Sequence, residues 1–162
     1  MTTIRSIPFM LMLAVGLAWP APGAAQHEHS AHEHGPDALT LELDDGRRWQ
    51  TDASLREGMQ RIRSALDAAH AGPAGRPDAE AAAGRALASA IDDAIGYMVA
   101  NCRLSPEADA NLHVLLGQLG QASAALKQDP TAPQAVDTVV ATLELYGRYF
   151  DHPGWGPIRD AH

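Results

Sequence analysis

Apolar residues recur at helical spacing in four separate stretches of the chain. In the first, Leu55, Met59, Ile62 and Leu66 fall at i, i+4, i+7 and i+11, one stripe of a helix. Thr51 and Asp52 stand just ahead of it, and both are residue types that cap helix N-termini. The run from Ala71 to Pro77 contains two glycines and two prolines and breaks the pattern. The second stripe, capped by Asp78, is Leu87, Ile91, Ile95, Met98 and Cys102, and it ends near Arg103. Ser105-Pro106-Glu107 then restarts a helix, with serine as cap, proline in the first turn and an acid at the positive end of the dipole. Its inward residues are Leu112, Leu115, Leu116, Leu119 and Leu126. Gln128 to Pro133 breaks the chain again. The fourth stretch runs to about Phe150 with Val136, Val139, Val140, Leu143 and Phe150 inward, and Asp151-His152-Pro153-Gly154 stops it.

Four such helices joined by short breaks predict an all-α, up-down-up-down four-helix bundle over 51–151, followed by a C-terminal tail over 152–162. No internal self-similarity supports a repeat array. Ahead of the bundle, Leu39 to Leu43 alternate apolar and polar, and Asp44-Asp45-Gly46 makes a turn before Arg47-Arg48-Trp49. Residues 39–50 therefore predict a short extended segment or hairpin arm, with Trp49 packed as a lid on the helices. Residues 26–38 read Q-H-E-H-S-A-H-E-H-G-P-D-A, which cannot build a core and predicts a disordered, His-rich tail.

The first 25 residues carry an address. Arg5 precedes an apolar run from Ile7 to Leu17, then come Pro20, Pro22 and the small residues Gly23, Ala24 and Ala25. That is the layout of a signal peptide cut after Ala25, which implies export to the periplasm. The apolar run is shorter than the ~20 residues a bilayer span needs, and no cysteine follows the cut to take a lipid. No stable membrane anchor is expected after cleavage.

Composition narrows the function. Twenty acidic against twelve basic residues give a formal net charge of −8, which argues against a nucleic-acid partner. The single cysteine, Cys102, excludes an intrachain disulfide framework and any cysteine-rich zinc or iron–sulfur site. Catalytic arrangements are not found either. Asp92-Asp93 and Asp44-Asp45 are sequence neighbours whose side chains diverge, and both pairs read as solvated acids. Cys102 and His113 lack a third, orienting group, and the glycines at 72 and 75 belong to a connector rather than a phosphate loop. An enzyme is not expected.

The sharpest chemical signal is H-E-H-S-A-H-E-H. Four of the eight histidines, His27, His29, His32 and His34, lie within it, and imidazoles so closely spaced can wrap a divalent ion without a preformed site. A second set follows from the bundle topology. Met59, Met98, Cys102 and His113 are expected near one end and at similar depth, and together they form a soft donor set suited to Cu(I). Against that stands plain packing, since methionine on a helix stripe fills cores and a lone buried cysteine acts as a small hydrophobe. Copper is the favoured metal, with zinc or nickel as alternatives.

Two resemblances add to this. The blocks G-R-R-W-Q-T-D-A-S-L-R-E-G-M-Q-R-I-R (46–63) and N-C-R-L-S-P-E-A-D-A-N-L-H (101–113), with the leader, the His-rich tail and the closing Y-G-R-Y-F-D, resemble a proteobacterial exported family labelled "DnrO protein". The family brings no established activity. The resemblance implies that Met59, Cys102 and His113 belong to its recognisable blocks, as do Trp49, Thr51 and Asp52, whose expected role is structural. A bundle with methionine on its first helix also resembles the cytochrome b562 type, whose haem iron takes that methionine and a histidine from the last helix. Here the last helix reads L-E-L-Y-G-R-Y-F, with Tyr146-Gly147 where a histidine is wanted, and no C-x-x-C-H exists for covalent haem. A haem-binding electron carrier using Met59, or a metal-free interaction module, are the alternatives to metal binding.

Overall fold

A computed structural model describes residues 40–72 and 75–158. The expected leader and the His-rich tail lie outside the described residues. What is described is an all-α four-helix bundle: α1 (Ala53–His70), α2 (Pro77–Asn101), α3 (Pro106–Gln128) and α4 (Pro133–Tyr149). Two very short strands flank it, β1 (Trp49–Gln50) and β2 (Phe150–Asp151).

Each helix begins for a local reason. Asp52 caps α1, its Oδ1 accepting from the Leu55 amide at 2.7 Å. Its other oxygen accepts from the Arg103 amide at 2.5 Å, so one carboxylate ties the start of α1 to the segment after α2. Ser105 caps α3 by accepting from the Ala108 amide at 3.2 Å. Proline opens α2, α3 and α4, where its missing N–H has no intrahelical partner to lose. The expected capping by Asp78 does not occur. The helix starts one residue earlier, at Pro77, with Arg76 at the cap and no side-chain bond there. Asp78 sits inside the first turn with Glu80, where both charges face the positive end of the helix dipole.

The buried stripe of each helix meets the others in one continuous core. Leu55, Met59, Ile62 and Leu66 of α1 pack with Leu87, Ile91 and Met98 of α2, the leucines of α3, and Val139, Leu143 and Tyr146 of α4. Each fully buried aliphatic side chain of this kind contributes on the order of 1.5–3 kcal/mol of transfer free energy. Neighbouring helices in sequence are neighbours in space, and α1 also touches α4 along a sparser seam. Two glycines admit close neighbours, backbone at one and a side chain at the other. A Cβ at Gly84 would lie 1.8 Å from the carbonyl oxygen of Pro130, and one at Gly58 would lie 2.3 Å from Cγ of Met98.

Residues 44–47 form the expected turn, closed by Asp44 and Arg47 exchanging two backbone bonds of 2.9 and 2.8 Å around Asp45 and Gly46, both at positive φ. The segment docks through Glu42, whose amide donates to Asn111 Oδ1 at 2.8 Å and whose carbonyl accepts from the Trp49 indole at 2.7 Å. The strand partner of Trp49 and Gln50 is not the hairpin arm but the segment that follows α4. β1 and β2 pair in parallel, Trp49 opposite Phe150 and Gln50 opposite Asp151. Thr51 Oγ1 donating to the Asp151 carbonyl at 2.7 Å and an Arg48–Asp151 ion pair of 2.8 Å extend this junction. Among the described residues no helix is long and apolar enough to cross a membrane.

Candidate functional site

The four residues expected to form an internal donor set occupy three different environments. Met59 and Met98 are wholly buried in the core. The Met98 thioether lies over Gly58, where a Cβ would come within 2.6 Å of the sulfur. Cys102 is half-buried at the end of α2, its amide donating to the Met98 carbonyl at 2.9 Å. Burial, with the nearby charges of Asp52 and Asp109, pushes its thiol up to about 11. It is therefore held as a thiol, the opposite of an activated nucleophile or a ready thiolate ligand. His113 stands on the outside of α3 with 61% of its side chain exposed. Its Nδ1 lies 2.9 Å from the Asp109 carbonyl and 3.3 Å from the Asp109 carboxylate, a local i,i+4 arrangement facing solvent rather than the two methionines. Among the described residues, no group of three or more His, Cys, Asp or Glu is gathered to hold a metal ion. His27, His29, His32 and His34 lie outside the described residues. Met59, the ligand the haem alternative needs, is closed in on all sides by the core.

The polar chemistry that the structure does assemble lies where the chain leaves α4. Tyr146 is fully buried, and its hydroxyl is 2.9 Å from His152 Nδ1. Burial drives the phenol far above its usual range, so the tyrosine keeps its proton and donates to the imidazole. The Tyr146 ring stacks on Phe150 and meets Trp155 edge-on at 4.8 Å. Trp155 in turn covers Gly147, where a Cβ would lie 2.7 Å from the indole Cδ1, so only glycine admits the indole there. Arg63 reaches from α1 over the Trp155 ring at 5.0 Å and donates to the carbonyls of Gly156 and Pro157 at 3.0 and 2.7 Å. The chain after α4 is thereby strapped back across the bundle. His152 is pulled below its usual range, first by burial and then by the positive charges of Arg56 and Arg63.

Beside His152 a groove of about 560 Å³ opens along α1, lined by Ala53, Arg56, Glu57, Gln60, His152 and Pro153. Arg56 is fixed at its edge, one guanidinium nitrogen donating to the Thr51 carbonyl at 2.7 Å and to the Thr51 hydroxyl at 3.1 Å. A smaller cavity of about 200 Å³ lies among His70, Glu80, Gly84, Leu87, Pro130 and Val136. The reading of Asp92 as a merely solvated acid needs correction. Its carboxylate accepts from the buried Ser123 hydroxyl at 2.6 Å and pairs with Lys127, a bridge from α2 to α3.

The sequence puts Tyr146 in the last helix and His152 in the stop after it, but gives neither a role. The one usable signal was the spacing of Gly147 from Trp155 after a helix stop, since a glycine inside a helix suggests a close neighbour. No family model, curated protein or solved structure matches this chain.

Proposed function

We propose that this chain is an exported, periplasmic protein whose up-down-up-down bundle carries a metal-capturing tail, and that the metal is copper ahead of zinc or nickel. His27, His29, His32 and His34 are the ligands in this reading, with no enzymatic step. The observation that carries it is the H-E-H-S-A-H-E-H segment, four imidazoles within eight residues directly after a cleavable leader pattern. An oxidising, copper-accessible compartment fits such a tail, and the likeness to the exported "DnrO protein" family belongs to the same proposal. The up-down topology is supported by the Asp52 tie to Arg103, which sets the beginning of α1 beside the end of α2.

The bundle then serves as a scaffold more than as a site. Met59 and Met98 do core work, His113 faces water, and Cys102 is held protonated. The test is a copper titration of the mature protein against a competing chelator, run as Cu(II) in air and as Cu(I) under reducing, anaerobic conditions. Two variants accompany it, a deletion of residues 26–36 and a Cys102→Ala, His113→Ala double substitution. The expected result is loss of stoichiometric binding in the deletion and none in the double variant. Stoichiometric Cu(I) binding that survives the deletion and disappears in the double variant would place the site inside the bundle and overturn the assignment to the tail.

A further inference from the structure

We propose that the groove between α1 and the strap, whose polar lining is Arg56, Gln60 and His152 with Glu57 turned to Arg61, binds a single oxyanion group, the carboxylate or phosphate of a small ligand. The inference is independent of the metal-binding tail.

The first argument is the tautomer of His152. Tyr146 is buried and His152 Nδ1 is the partner described for its hydroxyl; a buried O–H left without an acceptor costs more than an idle lone pair, so the hydroxyl donates and Nδ1 accepts. A neutral imidazole that accepts at Nδ1 carries its hydrogen on Nε2. Nδ1 is turned to the buried tyrosine while His152 lines the groove, so the Nε2–H is the donor the ring has left to offer. The same constraint disfavours a metal ion at this nitrogen, because a ligating nitrogen must give up its proton.

The second argument is charge. Among the described residues Arg56 has no carboxylate within ion-pair distance, and neither has Arg63. The ion pairs that are described use Arg47, Arg48, Arg61, His113 and Lys127. Arg63 spends its donors on the carbonyls of Gly156 and Pro157 and lays its face on Trp155. Arg56 uses one nitrogen on Thr51 and retains two other nitrogens with hydrogens to offer. The acids close by are committed elsewhere. Glu57 accepts from Arg61 Nε at 3.0 Å, and the two oxygens of Asp52 are taken by the amides of Leu55 and Arg103. A chain of net charge −8 thus keeps, in one groove, an arginine and an imidazole N–H beside a single lining carboxylate, Glu57, which is paired with Arg61.

The third argument is fit. Arg56 and His152 line the same groove, and guanidinium with imidazole N–H is a donor pattern that carboxylates and phosphates satisfy with charge-assisted bonds. The Gln60 amide supplies a further donor at the far side of the groove. An anion there would also answer the two arginine charges that, after burial, hold His152 below its usual range, so its binding must raise the histidine's titration midpoint by linkage.

The experiment follows the His152 ring by long-range ¹H–¹⁵N NMR in the full mature chain, titrated with pH alone, with inorganic phosphate, and with acetate. Sodium chloride at matched ionic strength is the control. The expected results are an Nε2–H tautomer in the free protein and a saturable upward shift of the midpoint with one or both oxyanions beyond that in chloride. Arg56→Gln should weaken the anion by about tenfold or more, the loss of one charge-assisted contact. Gln60→Leu, which touches no part of the fold's hydrogen bonding beyond its own helix face, keeps the test alive if the Arg56 variant is unstable, and should weaken binding less. A response to phosphate alone or acetate alone identifies which group the site takes. An Nδ1–H tautomer, or shifts with both anions equal to those in chloride, would overturn the proposal.

Discussion

Two glycines of the same helix respond oppositely to one substitution if the packing described above is correct. Gly84 and Gly96 both lie within α2, and replacing either by alanine removes the same backbone-entropy cost, about 1 kcal/mol in favour of the helix. At Gly96 a Cβ meets nothing within 4 Å, so that gain stands alone. At Gly84 the new Cβ would sit 1.8 Å from the Pro130 carbonyl oxygen, 2.8 Å from its carbon and 3.2 Å from its Cα. That is about 1.6 Å inside ordinary contact, and the obstacle is backbone rather than the end of a flexible side chain. Overpacking of a filled core costs about 1–3 kcal/mol, and a rigid obstacle belongs at or above the top of that range. Gly84→Ala is therefore expected to destabilise the protein by about 2 kcal/mol or more net. Gly96→Ala is expected to stabilise it by just under 1 kcal/mol. Urea unfolding of the mature chain, with m-values compared, resolves the two, and thermal midpoints should part by roughly 6–12 °C. Stabilisation by Gly84→Ala equal to that by Gly96→Ala would refute the close approach of α2 to the α3–α4 connection.

Cys102, with its thiol near 11 instead of the ordinary 9.0, should react with iodoacetamide at neutral pH about a hundredfold more slowly than an exposed cysteine, the rate still climbing above pH 9. Asp52→Asn keeps a capping side chain at α1 but removes a negative charge beside that thiol, so the titration midpoint of Cys102 should fall partway while burial holds the remainder. His152 is depressed in the folded state, so the unfolded chain binds the extra proton first as pH drops. Its contribution to stability is complete above pH 6.5, the unfolded value, and drains away as pH falls through the folded value. Denaturant midpoints measured from pH 7.5 to 5 should show that slope in wild type and lose it in His152→Gln. Ser123→Ala, which removes the hydroxyl bridging the Ala88 carbonyl and Asp92, should cost about 1 kcal/mol by denaturant titration.

The helices were legible because each apolar stripe, each proline and both side-chain caps, Asp52 and Ser105, act within a few residues. Leu55, Met59, Ile62 and Leu66 could be read as inward from spacing alone, and each is fully buried. Asp78 was misread because a capping residue and a first-turn acid look alike one or two positions apart, and the dipole rewards both. His113 lies next to Leu112 in sequence, about 100° around the helix, which put it at the edge of the stripe. The structure settles that edge toward water, through a bond to its own helix. The strap was not legible. Its contacts join Tyr146 to His152, Arg63 to Gly156 and Trp49 to Phe150, and no periodicity connects residues of such different kinds across so much chain. The same holds for Asp92, whose partners Ser123 and Lys127 sit a turn apart on another helix.

The parallel pairing of β1 with β2 also decides how the bundle bears force. The chain enters β1 from one direction and leaves β2 in the other, so tension between residues 40 and 158, once it reaches the pair, slides the strands past each other. It does not peel them open one bond at a time. The Arg48–Asp151 ion pair and the Thr51 hydroxyl bond lie beside the same joint and are strained together with it. Four helices that would each unravel readily from a free end are thus shielded behind a clasp four residues in size, and mechanical resistance is concentrated at the smallest element of the molecule.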